Sequence, residues 1–336
     1  MKRILFIATG GTIASRRSEH GLTPVMSSEE LLSYVPQVRS FCEVDAIKLF
    51  NLDSTNITPA HWLKMAAAIE ENYENYDGFV LSHGTDTMAY TAAALSYLIQ
   101  NSPKPIILTG AQKPIDMEST DARVNLADSF AYASFERAGG VQIVFNGNVI
   151  LGTRAKKTYS KNYNAFSSVN YPFLAAIRDG QLFSYIEPAA NYRWPIFCDK
   201  LSERVGVIKL TPGASAELLD CYLRLHDAVI IESYGTGGLP QGTGQDFSAV
   251  IDRHASEGKV IVMTTQVAND GSDMSVYRVG GEIKNRYHLL EAYDMTTEAA
   301  LTKLMWILGQ TSEPAAIRRM FRTTIANDIL YQEKQG

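Results

Sequence analysis

Cysteine and histidine are scarce in this sequence, and neither residue type is arranged to bind metal. The three cysteines, Cys42, Cys198 and Cys221, stand far apart among the 336 residues. Their odd number and wide spacing suit neither a disulfide framework nor a metal site. The six histidines form no HExxH-type pattern. We therefore expect reduced thiols and no metal.

Long hydrophobic runs and excess basic charge are also missing. No apolar stretch reaches the ~20 residues of a membrane-spanning helix. The apolar stretch after Met1-Lys2-Arg3 ends within about seven residues at two glycines, which is too short for a signal peptide. A formal net charge of −5 does not indicate the excess of basic residues that binds nucleic acid. The sequence predicts a cytoplasmic protein without membrane or nucleic-acid partners.

Apolar runs alternate with helix-like patterns along most of the chain. The first predicted strands are Arg3–Ala8, Asp45–Leu52, Gly78–Ser82, Pro105–Thr109 and Val141–Phe145. Between them, helices are predicted from Thr58-Pro59, over about 86–100, and after Asp121. Such strand–helix repetition predicts an α/β fold with a mostly parallel, flavodoxin-like sheet and helices on both faces.

The alternation of strand and helix patterns is interrupted once, which predicts two domains. Residues 186–203 contain two prolines and mixed polarity, so we interpret them as a connecting segment after a catalytic domain over 1–185. The alternation then resumes with predicted strands at Arg204–Leu210, Ala228–Glu232 and Lys259–Thr264. Residues 204–336 are predicted to form a smaller C-terminal α/β domain.

Small polar residues follow the predicted strands, where α/β proteins bind ligands. The successive strand ends deliver Thr9-Gly10-Gly11-Thr12, Asp53-Ser54-Thr55, His83-Gly84-Thr85-Asp86-Thr87, Gly110-Ala111-Gln112 and, a few residues beyond the fifth strand, Thr153-Arg154-Ala155-Lys156-Lys157. Together they predict a polar site for a small ligand.

Each of these residues also has a purely structural interpretation. Gly10 and Gly11 suit a tight turn, because glycine tolerates positive φ. Asp86 suits a helix N-cap. Lys157 suits a solvated surface position, and His83 is interpreted as structural.

Threonine hydroxyls are the nucleophiles that remain for catalysis. The sequence has no G-x-S-x-G elbow and no phosphate-binding glycine loop. Thr85, Asp86 and Lys157 could supply a hydroxyl, an orienting carboxylate and an amine. Backbone N–H groups at the start of the helix that follows would favour an oxyanion.

The motifs TGGTI (9–13) and HGTDTM (83–88) resemble those of the bacterial-type L-asparaginases, in their cytoplasmic, type I branch. NLDST (51–55), TGAQKP (109–114), SVNYP (168–172) and ESYGTGG (232–238) follow in the family's order. The resemblance covers essentially the whole chain. It implies hydrolysis of L-asparagine to L-aspartate and ammonia without a cofactor, in a homodimer or homotetramer.

The resemblance also implies residue roles. Thr12 would be the nucleophile, and Lys157 with Asp86 would polarise Thr85 or a water molecule. Asp86 would also pair with the substrate α-ammonium. Substrate contacts are implied for the residues Gly11, Ser54, Thr55, Gly84 and Ala111.

Three departures from the family pattern involve four positions. Leu22 stands where relatives commonly have a tyrosine that bonds the nucleophile, and Gly238 stands where some have an asparagine. Lys156 and Val267 occupy the positions of a threonine and a cysteine in an allosteric asparagine site. We therefore expect hyperbolic kinetics.

Two alternatives remain on the sequence alone. A related amidase with substantial glutaminase activity would share the motifs. The archaeal tRNA-dependent amidotransferase subunit shares them as well, but it has an extra N-terminal domain, which we do not expect here because TGGT begins at residue 9. The second alternative is a non-catalytic amino-acid-binding protein. The presence of Thr12, Thr85, Asp86 and Lys157 argues against it, whereas Leu22 favours it.

Overall fold

The computed structural model describes residues 1–18, 21–186, 194–240, 246–276, 281, 284, 286–287 and 289–331. The chain divides into two compact units, Met1–Asp199 and Lys200–Gly336. Both are α/β units, as the sequence predicts.

The first unit contains long buried strands, short strands and helices. The strands are β1 (Lys2–Gly10), β2 (Ser15–Ser18), β3 (Gly21–Pro24), β4 (Cys42–Leu52), β5 (Gly78–Ser82), β6 (Ile99–Gln100), β7 (Pro105–Thr109), β8 (Gly140–Phe145), β9 (Asn148–Leu151), β10 (Ala155–Lys157), β11 (Phe166–Ser168), β12 (Ala175–Arg178), β13 (Gln181–Ser184) and β14 (Ile196–Phe197). The helices are α1 (Ser28–Ser33), α2 (Pro59–Asn72), α3 (Met88–Leu98) and α4 (Ala122–Ala133).

The main sheet of this unit is mixed. Its strand order across the described residues is β13-β12-β9-β8-β7-β5-β1-β4. The segment β8-β7-β5-β1-β4 is parallel, whereas β8–β9, β9–β12 and β12–β13 are antiparallel. The predicted mostly parallel sheet is therefore correct for its centre, and antiparallel strands that were not predicted from the sequence extend one edge.

Helices cover both faces of this sheet. Phe6 of β1 packs against Phe130 of α4, with ring centroids 5.8 Å apart. Tyr73, which directly follows α2, stacks on Phe79 of β5 at 5.9 Å. Since Val80 belongs to the same core cluster as Phe6 and Phe130, the neighbouring Phe79 points to the opposite face.

Local sequence explains where α2 begins. Pro59 occupies its first position, where no backbone N–H is needed. The N–H of Thr58 donates to Nδ1 of His61 at 3.1 Å, which holds the first turn. The helix then buries Trp62, Met65 and further apolar residues against the unit's interior.

The second unit has a parallel sheet in the order β15-β16-β17-β18. Its strands are β15 (Val205–Lys209), β16 (Ala228–Ser233), β17 (Val260–Thr265) and β18 (Leu290–Glu291), and its helices are α5 (Ala216–Leu225), α6 (Phe247–Ser256), α7 (Thr297–Gln310) and α8 (Pro314–Arg322). Helices α5 and α6 contribute to one core cluster with β15, β16 and β17. Neither α7 nor α8 was predicted from the sequence.

A fully buried ion pair holds the end of the second unit. Nζ of Lys303 in α7 lies 2.7 Å from Oδ2 of Asp328, and both side chains are 0% exposed. The same ammonium donates to the carbonyl of Thr323 at 2.8 Å. Oδ1 of Asp328 accepts from the N–H of Ile325 at 2.9 Å. These contacts fix the segment after α8 onto α7.

The predicted domain limits, 1–185 and 204–336, stay predictions. Residues 187–193 of the predicted connecting segment lie outside the described residues. Within the described part of the chain, no helix combines the length and the apolar character needed to cross a membrane.

Candidate active site

Glycines bring the loops after β1 and β5 into backbone contact. Gly11 has φ +82°, and a Cβ placed on it would overlap the backbone nitrogen of Gly84. A Cβ on Gly84 would lie 2.5 Å from Oγ of Ser54, which follows β4. Only residues without a side chain permit this approach. Three of the predicted strand-end loops therefore meet at one point.

Thr85, Asp86 and Lys157 are in direct contact. Nζ of Lys157 donates to Oγ1 of Thr85 at 2.8 Å and to Oδ1 of Asp86 at 2.5 Å. The Lys157 side chain is 16% exposed and that of Asp86 is 58% exposed. The lysine is therefore nearly enclosed, whereas the carboxylate remains open to a ligand.

Lys157 reaches this point by a route that differs from the predicted one. The chain does not pass from the carboxyl end of β8 to the site, because β9 runs back antiparallel to β8. Gly152 then packs against α3, where a Cβ would lie 2.9 Å from Oγ of Ser96, and β10 runs along α3. The lysine thus arrives beside the start of α3 from the helix side.

The remaining predicted site residues follow β1, β4 and β7. Thr12 begins a 3-10 turn over Thr12–Ala14 and is partly exposed. Ser54 is buried, whereas Thr55 is exposed and bonds Oδ1 of Asp53 through its N–H and its hydroxyl, each at 2.9 Å. Ala111 is buried in the loop after β7.

Asp121 and Asn125 hold this last loop, a role that was not predicted from the sequence. The Asp121 carboxylate accepts from the N–H groups of Gln112 and Lys113, at 2.9 and 3.1 Å. Nδ2 of Asn125 donates to the carbonyl of Gly110 at 3.0 Å. Burial raises the pKa of Asp121, and its hydrogen bonds from the two backbone N–H groups oppose that rise. The motif TGAQKP gave no signal of these partners, which come from α4 and the residue before it.

Leu22 lies on a two-stranded hairpin rather than on a loop. It pairs with Arg17 in the β2–β3 ladder, and its side chain is 48% exposed. Glu19 and His20 lie outside the described residues. Gly238 and Val267 belong to the second unit, where Val267 is exposed.

His83 is completely buried between β5 and the Thr85 loop. Its Nδ1 lies 2.7 Å from the carbonyl oxygen of Gly84, and its Nε2 lies 2.9 Å from Oγ1 of Thr91. Nε1 of Trp62 donates to the same Thr91 oxygen at 3.0 Å. Burial lowers the pKa of His83 to about 4, so the imidazole is neutral at neutral pH.

The Thr85 N–H donates no hydrogen bond to any part of the chain that the structure describes, although Thr85 is only 6% exposed. A buried donor without a partner is costly, so this N–H is suited to a ligand's oxygen. Among the described residues, no group of three or more His, Cys, Asp or Glu side chains could hold a metal ion. The arrangement suits acyl transfer from an amide, with hydroxyls, an ammonium and a backbone N–H that has no partner among the described residues.

Two family models match most of the chain. Residues 3–190 match the model described as "Asparaginase, N-terminal". Residues 204–321 match that of the "Glutaminase/Asparaginase C-terminal domain".

Similar proteins come from bacteria and archaea. The L-asparaginase of Thermococcus kodakarensis is 38% identical over 330 residues, covering 97% of this chain and 99% of that protein. Its solved structure has a TM-score of 0.92 at 37% identity, covering 98% of this chain and all of that one. L-asparaginase I of Vibrio cholerae has a TM-score of 0.87 at 29% identity, covering 98% and 99%. A glutamyl-tRNA(Gln) amidotransferase subunit from Pyrococcus abyssi is 34% identical over 98% of this chain and 77% of that protein.

Proposed function

Since the chain belongs to the asparaginase family, we propose that it hydrolyses L-asparagine to L-aspartate and ammonia with Thr12 as the nucleophile. The observation that supports this most is the contact of Lys157 with both Thr85 and Asp86, beside a Thr85 N–H that has no partner among the described residues. This constellation combines charge, a hydroxyl and an oxyanion donor at the edge of the sheet.

In the first step, Thr12 Oγ1 bonds to the side-chain amide carbon of asparagine. The carbonyl oxygen takes up negative charge in the tetrahedral intermediate, and the Thr85 N–H is placed to stabilise it. The C–N bond then breaks, and ammonia leaves with the proton of the threonine hydroxyl. An aspartyl ester on Thr12 remains, and water hydrolyses it in the second step.

Thr85 works through its contact with Lys157. Because the ammonium donates to Thr85 Oγ1, the hydroxyl proton of Thr85 is directed away from the lysine. That proton can bond the leaving nitrogen, or orient the water of the second step. Asp86 contacts the lysine at 2.5 Å, and because its side chain is largely exposed, its second oxygen can pair with the α-ammonium of the substrate.

Ser54 is placed to bind the α-carboxylate. Its hydroxyl lies against Gly84, and its carbonyl accepts from Oγ1 of Thr87 at 2.8 Å, which fixes this short segment relative to α3. Thr55 lies next to it. The cytoplasmic location and the homodimer or homotetramer implied by the family resemblance stay proposals.

Ammonia release from purified protein tests the activity. We expect release from L-asparagine at a higher kcat/KM than from L-glutamine, because the L-asparaginase of Thermococcus kodakarensis matches this chain over nearly its whole length. A coupled assay over a range of concentrations measures both substrates. Release from glutamine alone would identify a glutaminase, and release from neither would favour an amino-acid-binding protein.

Leu22→Tyr tests the departure at the hairpin. If a phenol at this position is what activates the nucleophile in relatives, the variant should have a kcat at least several-fold higher, and at most the ~10²–10⁴-fold that general acid–base catalysis typically contributes. Leu22→Phe is the matched control, because it adds the ring without the hydroxyl. Equal kcat values for the two variants would show that the phenol plays no part here.

A further inference from the structure

Hydrogen-bond directions can be assigned around His83 because two of its neighbours have fixed roles. The Gly84 carbonyl can only accept, so the Nδ1 atom that lies 2.7 Å away must carry a proton. Since the imidazole is neutral, Nε2 is then an acceptor. The ring is therefore held as the Nδ1–H tautomer.

Thr91 and Trp62 support the same assignment from the other side. Indole N–H is a donor only, so Trp62 donates to Oγ1 of Thr91. The Thr91 hydroxyl proton is then available to Nε2 of His83 at 2.9 Å. A directed chain results, from Trp62 through Thr91 and His83 to the carbonyl of Gly84, and it lies entirely within the buried interior.

The last hydrogen bond of this series, to the Gly84 carbonyl, affects the reaction through one peptide unit. The Gly84 carbonyl and the Thr85 N–H belong to the same planar trans peptide, in which C=O and N–H point in opposite directions. A donor that holds the carbonyl towards His83 therefore aims the Thr85 N–H away from His83. Hydrogen bonding at the carbonyl also polarises the peptide and strengthens its N–H as a donor.

We propose that His83 is a positioning residue that aims the Thr85 N–H at the reacting amide oxygen through its Nδ1–H bond to Gly84, and that Trp62 and Thr91 select the required tautomer. This inference rests on the proposed amide hydrolysis. The Gly84 peptide needs such an anchor because Gly84 has no side chain of its own, and it lies between Gly11 and Ser54.

Two substitutions with amide side chains test the contribution of each ring nitrogen separately. In His83→Asn the amide nitrogen is as many bonds from Cα as Nδ1, so it can still donate to Gly84. In His83→Gln the amide lies at the position of Nε2, so it keeps the Thr91 contact and loses the Gly84 bond. We expect His83→Asn to keep kcat for asparagine within about tenfold, and His83→Gln to lose ~10²-fold with little change in KM, the size of one oxyanion donor.

A purely structural role would rank the two variants in the opposite order, so the experiment distinguishes the two explanations. Asparagine is the smaller residue and leaves a cavity, so a purely structural histidine would make His83→Asn the less stable and the less active variant. Melting temperatures of both full-length variants measure this. Provided that the wild type is active, equal losses of kcat in the two variants, or a greater loss in His83→Asn, would overturn the proposal.

The tautomer itself can be observed without substrate. Nitrogen-15 NMR of the full-length protein labelled at histidine should show the His83 proton on Nδ1, and Thr91→Val should shift that signal. A proton on Nε2 in the wild type would overturn the proposal even if the variants cannot be purified. Because this readout is independent of turnover, an inactive wild type would refute the proposed function separately from the tautomer assignment.

Discussion

Replacing Thr12 by alanine is expected to lower kcat for asparagine hydrolysis by ~10³-fold or more, because a covalent route loses its nucleophile. KM should change little, because the substrate's carboxylate and ammonium are assigned to other residues, Ser54 and Asp86. Steady-state ammonia release measures both constants. Thr12 lies on a short 3-10 turn with partial exposure, so the change deletes a hydroxyl and a methyl group from a partly buried position.

Thr12→Ser is the matched control for this variant. It restores the hydroxyl and should recover a large part of kcat, whereas a role of Thr12 in packing alone would make serine resemble alanine. An alanine variant within tenfold of the wild type would exclude Thr12 as the nucleophile. Thr85, which contacts Lys157, would then be the next candidate.

Replacing Lys303 by methionine is expected to lower the free energy of unfolding by about 3–5 kcal/mol, because it leaves the Asp328 carboxylate buried without its partner. Both side chains are fully buried at 2.7 Å, so solvent cannot compensate. Urea titration followed by circular dichroism measures the change. The contact of Lys303 with the Thr323 carbonyl is lost at the same time.

Two further variants show whether the loss of stability comes from the buried ion pair. Lys303→Met combined with Asp328→Leu should recover part of the loss, because no uncompensated charge remains. Arg204→Met breaks an exposed pair with Asp227 at 2.8 Å and should cost far less stability than Lys303→Met, because solvent screens an exposed pair. A single Lys303 variant no less stable than the Arg204 variant would contradict the role given to the buried pair.

The central strands of the first unit were predictable because their sequences are short, continuous apolar runs that end in turn-forming residues. Gly78–Ser82 and Pro105–Thr109 have the predicted limits. Predicted β1 and β4 were too short at one end or both, because polar residues such as Lys2 and Glu43 extend them at the sheet's rim. The antiparallel strands β9, β12 and β13 were missed because they are only four residues long.

The second predicted helix, over about 86–100, shows the limit of local signals. Asp86 was placed at the start of a helix, whereas α3 begins at Met88. The residues before it instead form the loop that presents Thr85 and Asp86 to Lys157. A contact with a lysine more than 70 positions away does not appear in any local pattern, and it decides how these residues are used.

The amino-acid sequence by itself determined the strand-end residues TGGT and HGTDT and, through them, membership of the asparaginase family, which the family models and relatives confirm. Local sequence was sufficient because the reactive side chains of each loop are consecutive in the chain. Tertiary structure alone decided that Lys157 comes to Thr85 along α3, and that Trp62 and Thr91 hold His83 in one tautomer. These are contacts between distant segments, so they depend on how the chain is routed through the sheet and its helices.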